Sequence, residues 1–468
     1  MKLHFYNTIS HKKEIFKPLK KGVVGLYTCG PTVYHYQHIG NYRTYIFEDI
    51  LRRMLVENGF RVKHIMNITD VGHLTSDEDS GEDKIERAAK KEGKTAWDIA
   101  RFYENIFWED LKVLHVLLPH KAVRATEHID LQINLIKKLE KKGYTYKTSD
   151  GIYFDTSKLK EYGKLAKKNT AGIKAGARIE MGEKRLATDF ALWKFSSPTE
   201  TRQMEWNSPW GRGFPGWHIE CSAMSMKYLG ETFDIHTGGV DHIQVHHQNE
   251  IAQSEAATGK PLARFWLHGE HLHLDNEKMS KSTGNIVTPE IIRQKGFDPL
   301  DFRYLMFTAH YRSKMNFTWE SLQSVANARR ELEEFVRELL AEKKKSKSYI
   351  RLPYVSVEKK FFAMIADDLN TPKAIGILWN FIRSYRKART KNPTAAYALL
   401  LSFDHILGLG IKHIKQTTIP SSIQQLVEKR EVARQKKHWL EADSIREELQ
   451  KKGWEVKDTS GEPVVIKK

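Results

Sequence analysis

The stretch from Val23 to Asn41 constrains the fold of this chain more than any other. A short apolar run predicts a buried strand, and Gly30 then ends that strand in a loop. An apolar stripe at helical spacing follows Asn41, and residues 60–68 predict a second strand. The segment is therefore expected to form a strand–helix–strand unit, which binds nucleotides at the carboxyl ends of its strands.

The loop before the predicted helix is suited to phosphate. Phosphate at a helix N-terminus meets unpaired backbone N–H groups and the positive end of the helix dipole. His38 and Asn41 add two side chains that can donate hydrogen bonds at the same place. The sequence thus predicts a nucleotide phosphate site in this loop.

The composition is that of a basic globular protein. The 468 residues include 76 Lys and Arg against 58 Asp and Glu, a net charge of +18. This excess favours a nucleic-acid partner, although a lysine-rich proteome produces the same charge. The chain starts without a signal peptide and has no apolar run long enough to span a membrane. We therefore expect a cytoplasmic protein without membrane contact.

The cysteine content points to a metal. A disulfide between Cys29 and Cys221 is not expected in a reducing cytosol, which leaves metal binding, catalysis or burial. His246 and Glu250 are four residues apart, a spacing that places both on one face of a helix. Two thiolates, an imidazole and a carboxylate could hold zinc. The spacing leaves alternatives open, because His242 pairs with His246 in the same way and further histidines crowd the region: His236, His247, His268, His271 and His273.

A second motif, Lys278-Met279-Ser280-Lys281-Ser282, lies far downstream. Together with Cys29 and His38-Ile39-Gly40-Asn41, it resembles the two signature motifs of class I aminoacyl-tRNA synthetases. The cysteine makes the chain similar to the cysteinyl-tRNA synthetase family. The resemblance extends over nearly the whole chain and is densest at 25–41, 215–253 and 278–285.

The resemblance and the residue pattern together predict three domains in an α/β fold. A Rossmann-like catalytic domain is expected at 1–315, with an inserted connective region at about 115–205. A helical tRNA-binding domain at 316–415 and a small α+β anticodon-binding domain at 416–468 follow. Within the catalytic domain, the first 22 residues are expected to form an entry arm with one short strand.

The resemblance implies activation of L-cysteine by ATP with Mg²⁺, followed by transfer of cysteine to the 3′ end of tRNA(Cys). The attacking carboxylate is already a nucleophile, so the protein mainly positions groups and neutralises charge. His38 and Asn41 would donate to the phosphates, and Lys278 and Lys281 would hold the leaving pyrophosphate. The remaining residues implied for ATP binding are Gly40, Gly238, Gly239 and Asp241.

The resemblance also selects one zinc site per chain, formed by Cys29, Cys221, His246 and Glu250. A shape-matched pocket separates serine from cysteine by only ~1–3 kcal/mol. Zinc prefers a soft thiolate ligand, which serine cannot supply. We therefore expect cysteine to be selected at the first step, without an editing activity. The residues implied near the bound amino acid are Gly30, Thr69 and Trp217.

Three positions depart from the common family pattern. Asn41 replaces a histidine, Thr237 stands where glycine is usual, and Gln248 stands where glutamate is usual. These departures affect the expected local geometry. Two other functions are alternatives to the synthetase hypothesis. One is a non-catalytic tRNA-binding paralogue. The other is a cysteine ligase of the mycothiol pathway, which lacks a tail such as 358–468. A monomer is expected, because no self-complementary apolar segment is evident.

The tail mixes cations with Trp439 and Trp454, a combination suited to phosphates and stacked bases. The alternative is a pair of solvated amphipathic helices that pack on Leu426, Leu440 and Ile445. A hairpin is expected after them, turned near residues 460–461. The cations are Arg430, Arg434, Lys436, Lys437, Arg446, Lys451 and Lys452.

Overall fold

The computed structural model describes most of the chain. Within it, none of the described helices is long and apolar enough to cross a membrane. The described residues are 1–72, 83–166, 183–197, 202–274, 277–278, 286–345, 354–415, 420–458 and 463–467.

Strands and helices alternate in the first part of the chain, and helices dominate after residue 318. In chain order, the elements are β1 (His4–Asn7), β2 (Lys12–Ile15), β3 (Val23–Thr28), α1 (Ile39–Glu57), β4 (Arg61–Ile68), α2 (Lys84–Glu92), α3 (Ala96–Val113), β5 (Lys121–Arg124), α4 (Ile129–Lys141), β6 (Thr145–Lys147), β7 (Gly151–Phe154), β8 (Phe190–Phe195), β9 (Gly213–Pro215), α5 (Trp217–Leu229), β10 (Phe233–Gly239), α6 (His246–Thr258), β11 (Ala263–Gly269), β12 (Leu272–Leu274), β13 (Glu277–Lys278), α7 (Pro289–Gln294), α8 (Pro299–Met306), β14 (Met315–Phe317), α9 (Trp319–Lys345), α10 (Val355–Ala366), α11 (Thr371–Lys387), α12 (Pro393–Leu407), α13 (Ser421–Gln435), α14 (Trp439–Lys451), β15 (Trp454–Lys457) and β16 (Val464–Lys467).

A five-stranded parallel sheet forms the centre of the catalytic part, in the order β11-β10-β3-β4-β5. The predicted strand–helix–strand unit is confirmed as β3-α1-β4, with β3 in the middle of the sheet. Later in the chain, β10 joins the sheet on the other side of β3 from β4. The carboxyl ends of β3 and β10 therefore open onto one crevice, as expected at a switch in strand order.

β2 and β5 are strands that the sequence did not predict. β5 (Lys121–Arg124) lies inside the range expected for the insertion, but it is the edge strand of the parallel sheet. The entry arm contains an antiparallel pair, β1 and β2, and not one short strand. β2 has the sequence Lys-Lys-Glu-Ile and is largely exposed, so it carries no apolar signal. Within the insertion and just after it, four short strands form an antiparallel sheet, β6-β7-β8-β9.

The helical part packs against the catalytic part around a buried arginine. Arg303 on α8 is fully buried and donates to Asp49 on α1. The same guanidinium donates to the carbonyl oxygens of Leu407, at 2.6 Å, and Leu114, at 2.9 Å. Helices from both parts of the chain therefore share one hydrophobic core around this arginine.

The tail forms a small separate core from α13, α14 and the predicted hairpin, which is confirmed as β15 and β16. Trp454 is buried in this core, so only Trp439 of the two tail tryptophans remains exposed. Leu440 is 89% exposed, and its predicted packing role is wrong. Leu426 and Ile445 do pack against the core. The 460–461 turn lies outside the described residues.

Candidate active site

A cavity of about 1220 Å³ opens at the carboxyl ends of β3 and β10. The loop before α1, the end of β10 and the first residues of α5 and α6 all contribute to its walls. Most of the predicted site residues line it together: Cys29, Gly30, His38, Gly40, Asn41, Trp217, Gly239, Asp241 and His246.

The four predicted metal ligands meet beside this cavity, which Cys29 and His246 line. One ligand atom from each of Cys29, Cys221, His246 and Glu250 lies within 4.8 Å of the others, and all four residues are buried. His246 Nε2 is 3.0 Å from Glu250 Oε1, as their spacing on α6 predicted. Two sulfur atoms, one nitrogen and one oxygen thus converge in a set that zinc accepts in tetrahedral sites.

Burial and charge act together on these groups. Burial would lower the pKa of His246, but Glu250 and Cys221 raise it to about 10. Burial would raise the pKa of Glu250, but His236 and His246 hold it far below its usual range. Burial and the hydrogen bond with Cys221 raise the pKa of the Cys29 thiol. For Cys221, burial opposes the shift, but the hydrogen bond with Cys29 and the charge of His246 lower the pKa.

Further histidines contact the predicted metal ligands. His236 Nε2 lies 2.9 Å from Glu250 Oε2, and His247 Nε2 lies 3.2 Å from Cys29 Sγ. His247 Nδ1 is in turn 2.8 Å from His268 Nε2. His236 and His247 also form an alternative ligand set with Cys29 and Glu250. As in the sequence, more than one histidine could therefore complete the metal site. Outer imidazoles of this kind orient the carboxylate and thiolate that ligate a metal.

His38 and Asn41 form a capping box at the N-terminus of α1. His38 Nδ1 accepts from the backbone N–H of Asn41 at 3.3 Å, and Asn41 Oδ1 accepts from the backbone N–H of His38 at 3.1 Å. The amide NH₂ of Asn41 and the Nε2 side of His38 are then the groups that can donate to phosphate. Asn41 therefore caps α1 with its side-chain oxygen and keeps an amide NH₂ group that is able to donate.

The predicted amino-acid contacts lie beside the metal ligands. Thr69 is buried at the end of β4, where its hydroxyl donates to Glu220 Oε2 at 2.9 Å. The backbone N–H of Gly30 donates to Asn67 Oδ1, and a Cβ at position 30 would lie 1.7 Å from the Asn67 carbonyl oxygen. Trp217 packs on His246, with 4.3 Å between the ring centroids. Gly30 and Trp217 therefore line the crevice, whereas Thr69 is buried and is not among the lining residues.

β10 ends in glycines, and histidine rings leave no room for a side chain at Gly238. A Cβ at Gly238 would lie 2.6 Å from His242 Nδ1 and 2.8 Å from the His247 ring. Gly239 and Asp241 follow and line the cavity directly. Any side chain at position 238 would displace the imidazoles near the metal ligands.

The structure describes the downstream motif only in part. The backbone of Lys278 pairs with His273 in the β12–β13 ladder, which places this lysine beside the strand that follows the cavity-lining residues 269–271. Lys281 lies outside the described residues. The predicted roles of both lysines therefore stay predictions.

The two other sequence departures have local partners. The Thr237 hydroxyl donates to Glu48 Oε1 at 2.7 Å, and burial raises the pKa of Glu48 to about 8. Gln248 Oε1 accepts from the backbone N–H of Leu165 at 3.0 Å. Thr237 therefore belongs to a buried polar pair with α1, and Gln248 ties α6 to the insertion.

Sequence reasoning did not name several residues of the site. Burial raises the pKa of Glu220 to about 8, and its position directly before Cys221 was the signal that could have identified it. His218 Nδ1 lies 3.0 Å from His246 Nδ1, one turn before the same cysteine. The other cavity-lining residues that were not predicted include Thr44, Lys84, Arg87, Lys91, Glu270 and His271.

Three family profiles match the chain in sequence order. The class I (C) catalytic domain of tRNA synthetases matches residues 15–327, a DALR domain matches 360–412, and the cysteinyl-tRNA ligase anticodon-binding domain matches 417–462.

Full-length relatives and solved structures agree with these matches. Cysteine–tRNA ligase 1 of Burkholderia lata is 49% identical, covering 98% of this chain and 96% of the relative. The cysteine–tRNA ligase of Treponema denticola is 44% identical, covering 98% and 99%. The methionyl-tRNA synthetase of Mycobacterium tuberculosis, solved with methionyl-adenylate, has a TM-score of 0.61 at 14% identity, covering 84% of this chain and 93% of that structure. This last likeness confirms the predicted α/β fold.

Proposed function

Because the chain belongs to the cysteinyl-tRNA synthetase family, we propose that the cavity at the ends of β3 and β10 is where it activates cysteine with ATP. The chain is a class I aminoacyl-tRNA synthetase, a ligase that joins cysteine to tRNA. One observation carries the assignment of the site: Cys29 and His246, two members of the buried quartet with Cys221 and Glu250, line the same cavity as the loop at 38–41.

The proposed resident metal is zinc, held by this quartet. Two thiols, an imidazole and a carboxylate within 4.8 Å of one another fit its usual ligands, and their burial keeps competing water away. When bound, zinc would coordinate the substrate thiol and lower its pKa, which serine cannot reproduce. The family motif favours this set over the alternative one, because it pairs the imidazole and the carboxylate at the positions of His246 and Glu250, which lie 3.0 Å apart.

The amino acid would lie between the metal ligands and the residues Gly30, Thr69 and Trp217. Trp217 covers the His246 side of the crevice, so its indole excludes water from the selected side chain. Thr69 donates to Glu220 Oε2, an arrangement that keeps a polar group beside the substrate ammonium. Selection at this step makes a separate editing activity unnecessary.

ATP with Mg²⁺ would extend from this pocket along the loop at 38–41. His38, Gly40 and Asn41 present donors and the α1 N-terminus to the phosphates. Gly238, Gly239 and Asp241 would hold the adenosine, and Lys278 and Lys281 the leaving pyrophosphate. The cysteine carboxylate attacks the α-phosphate, pyrophosphate leaves, and the terminal ribose hydroxyl of tRNA then displaces AMP.

The partner is proposed to be tRNA(Cys), with its anticodon at the tail. Trp439 is 56% exposed on α14, and the net charge of +18 favours an RNA backbone. We also propose the domain limits 1–315, 316–415 and 416–468, a monomeric protein, and action in the cytoplasm, where tRNA is charged.

The direct test is aminoacylation of a tRNA(Cys) transcript with radiolabelled cysteine. We expect charging that depends on ATP and is lost in His38→Ala, because the donor next to the phosphates is removed. His405→Ala is the matched control, since His405 is exposed on α12 and distant from the cavity. Binding of tRNA without ATP turnover would instead support the non-catalytic paralogue.

A further inference from the structure

The turn between α10 and α11 holds a strained, buried carboxylate. Asp368 and Leu369 both have left-handed backbone angles, with φ of 64° and 54°. Such angles are unfavourable for residues other than glycine and persist only where surrounding contacts enforce them. The Asp368 side chain is 1% exposed. A strained turn that buries a charge points to a specific role for that carboxylate.

Asp368 collects donors from two distant segments. Its Oδ1 accepts from the backbone N–H of Tyr6 at 2.9 Å and from the Tyr311 hydroxyl at 2.8 Å. Its Oδ2 accepts from Arg312 Nε at 2.9 Å and Nη2 at 2.6 Å. The Arg312 guanidinium also stacks over the Tyr6 ring, 4.3 Å from its centroid. One side chain of the helical part thus fixes the side chains of the loop at 310–313.

On its other side, the backbone of that loop contacts α1 and the segment at 270–271. Arg43 on α1 donates to the carbonyl oxygens of His310 and Ser313, and also to that of His271. The backbone N–H of Glu270 donates to the Tyr311 carbonyl oxygen at 2.8 Å. The loop at 310–313 therefore lies between Asp368 and the cavity-lining residues 269–271.

These contacts lie next to both signature motifs, the loop at 38–41 and the motif that starts at Lys278. Arg43 is two residues after Asn41, on the helix whose N-terminus faces the phosphates. His271 directly precedes β12, whose His273 pairs with Lys278. β12 also pairs with β14, which follows the 310–313 loop in the chain. A short series of hydrogen bonds thus joins Asp368 to the loop at 38–41 and to the backbone of Lys278.

We propose that Asp368 is a positioning residue for the activation step: it fixes the loop at 310–313 so that Arg43 and β12 hold the two phosphate-binding segments at the required separation. This inference rests on the proposed function and extends it, since it assigns a residue of the helical part to the chemistry in the cavity. Asp368 does not touch substrate and acts through Arg312, Tyr311 and the loop backbone.

The competing explanation is that Asp368 only docks the helical part. That role would change the thermal midpoint but not the turnover of the folded protein. The neighbouring Asp367 provides a matched control, because its side chain is 45% exposed and makes a surface ion pair with Lys13. Asp367→Asn therefore makes the same chemical change one residue away, outside the hydrogen-bonded series.

The experiment measures cysteine-dependent ATP–pyrophosphate exchange, zinc content and thermal midpoint in wild type, Asp368→Asn and Asp367→Asn. We expect Asp368→Asn to lower kcat about tenfold or more and to raise KM for ATP, with KM for cysteine and zinc content unchanged. Asp367→Asn should match wild type. Tyr311→Phe removes a single donor to Asp368, so it provides the same test if Asp368→Asn does not fold.

The outcomes are separable. Wild-type kcat and KM for ATP in folded Asp368→Asn, or in Tyr311→Phe where Asp368→Asn does not fold, would overturn the proposal. A lower thermal midpoint with unchanged kinetics would overturn it as well and leave only the docking role. No exchange by the wild-type protein would refute the proposed function, which is a different result from equal exchange in all variants.

Discussion

Glu48 is expected to make the protein less stable as the pH rises, and Glu48→Gln should remove this effect. Burial raises the pKa of its carboxyl from 4.5 to about 8, although the hydrogen bond from Thr237 acts in the opposite direction. The side chain is 2% exposed. Among the described residues, Oε2 has no hydrogen-bond partner. The hydrogen bond from Thr237 offsets only part of the lost hydration of the ionised form.

The sign follows from where the proton is held. Between pH 4.5 and about 8 the unfolded chain releases the proton of Glu48 while the folded chain keeps it. The free energy of unfolding therefore falls by about 1.4 kcal/mol for each pH unit in this interval. The full penalty, on the order of 5 kcal/mol, is reached above pH 8 and is absent below pH 4.5.

Glutamine is a suitable replacement because it stays neutral at every pH. Its Oε1 can accept the same hydrogen bond from Thr237, and its amide leaves a polar group in the same place as the protonated carboxyl. Urea unfolding followed by tryptophan fluorescence should give similar midpoints for the two proteins at pH 5. The variant should be more stable by roughly 3 kcal/mol at pH 7.

Glu57→Gln is the control, since Glu57 lies at the exposed end of the same helix beside His405. Its pH dependence should match that of wild type. If the difference between wild type and Glu48→Gln stays constant from pH 5 to pH 8.5, the carboxyl is ionised in the folded protein and the reasoning from burial is wrong.

Three further predictions concern the metal, the domain junction and the tail. Cys221→Ser should lose most of its bound zinc, measured by atomic absorption, and its cysteine-dependent exchange; full zinc occupancy would contradict the ligand assignment. Arg303→Met should lower the free energy of unfolding by about 3–5 kcal/mol, because Asp49 then keeps a buried charge with less compensation; an unchanged urea midpoint would contradict this. Trp439→Ala should raise KM for tRNA, because a base–aromatic stack contributes ~1–3 kcal/mol, and leave pyrophosphate exchange unchanged; an unchanged KM would remove Trp439 from the RNA surface.

The sequence was sufficient where one apolar pattern or one local spacing determines the structure. The stripe after Asn41 predicted α1, and the interval from His246 to Glu250 predicted one face of α6. β5 was missed because only Val123 of its four residues is buried, which leaves no apolar run. β2 was missed for the same reason.

Contacts between distant segments could not be read from local patterns. Thr237 and Glu48 are 189 residues apart, and neither position indicates the other. Trp439 and Trp454 both lie in a basic tail, but the hairpin buries only Trp454. The metal quartet needed the family resemblance, since the structure itself offers a second set of ligands through His236 and His247.

The most direct test of the central claim is ATP–pyrophosphate exchange with cysteine and with serine, on protein before and after zinc removal. We expect exchange with cysteine alone, lost when zinc is removed and restored when zinc returns, because zinc held by Cys29, Cys221, His246 and Glu250 would select the substrate. Exchange supported by serine, or exchange with cysteine that persists without zinc, would contradict it.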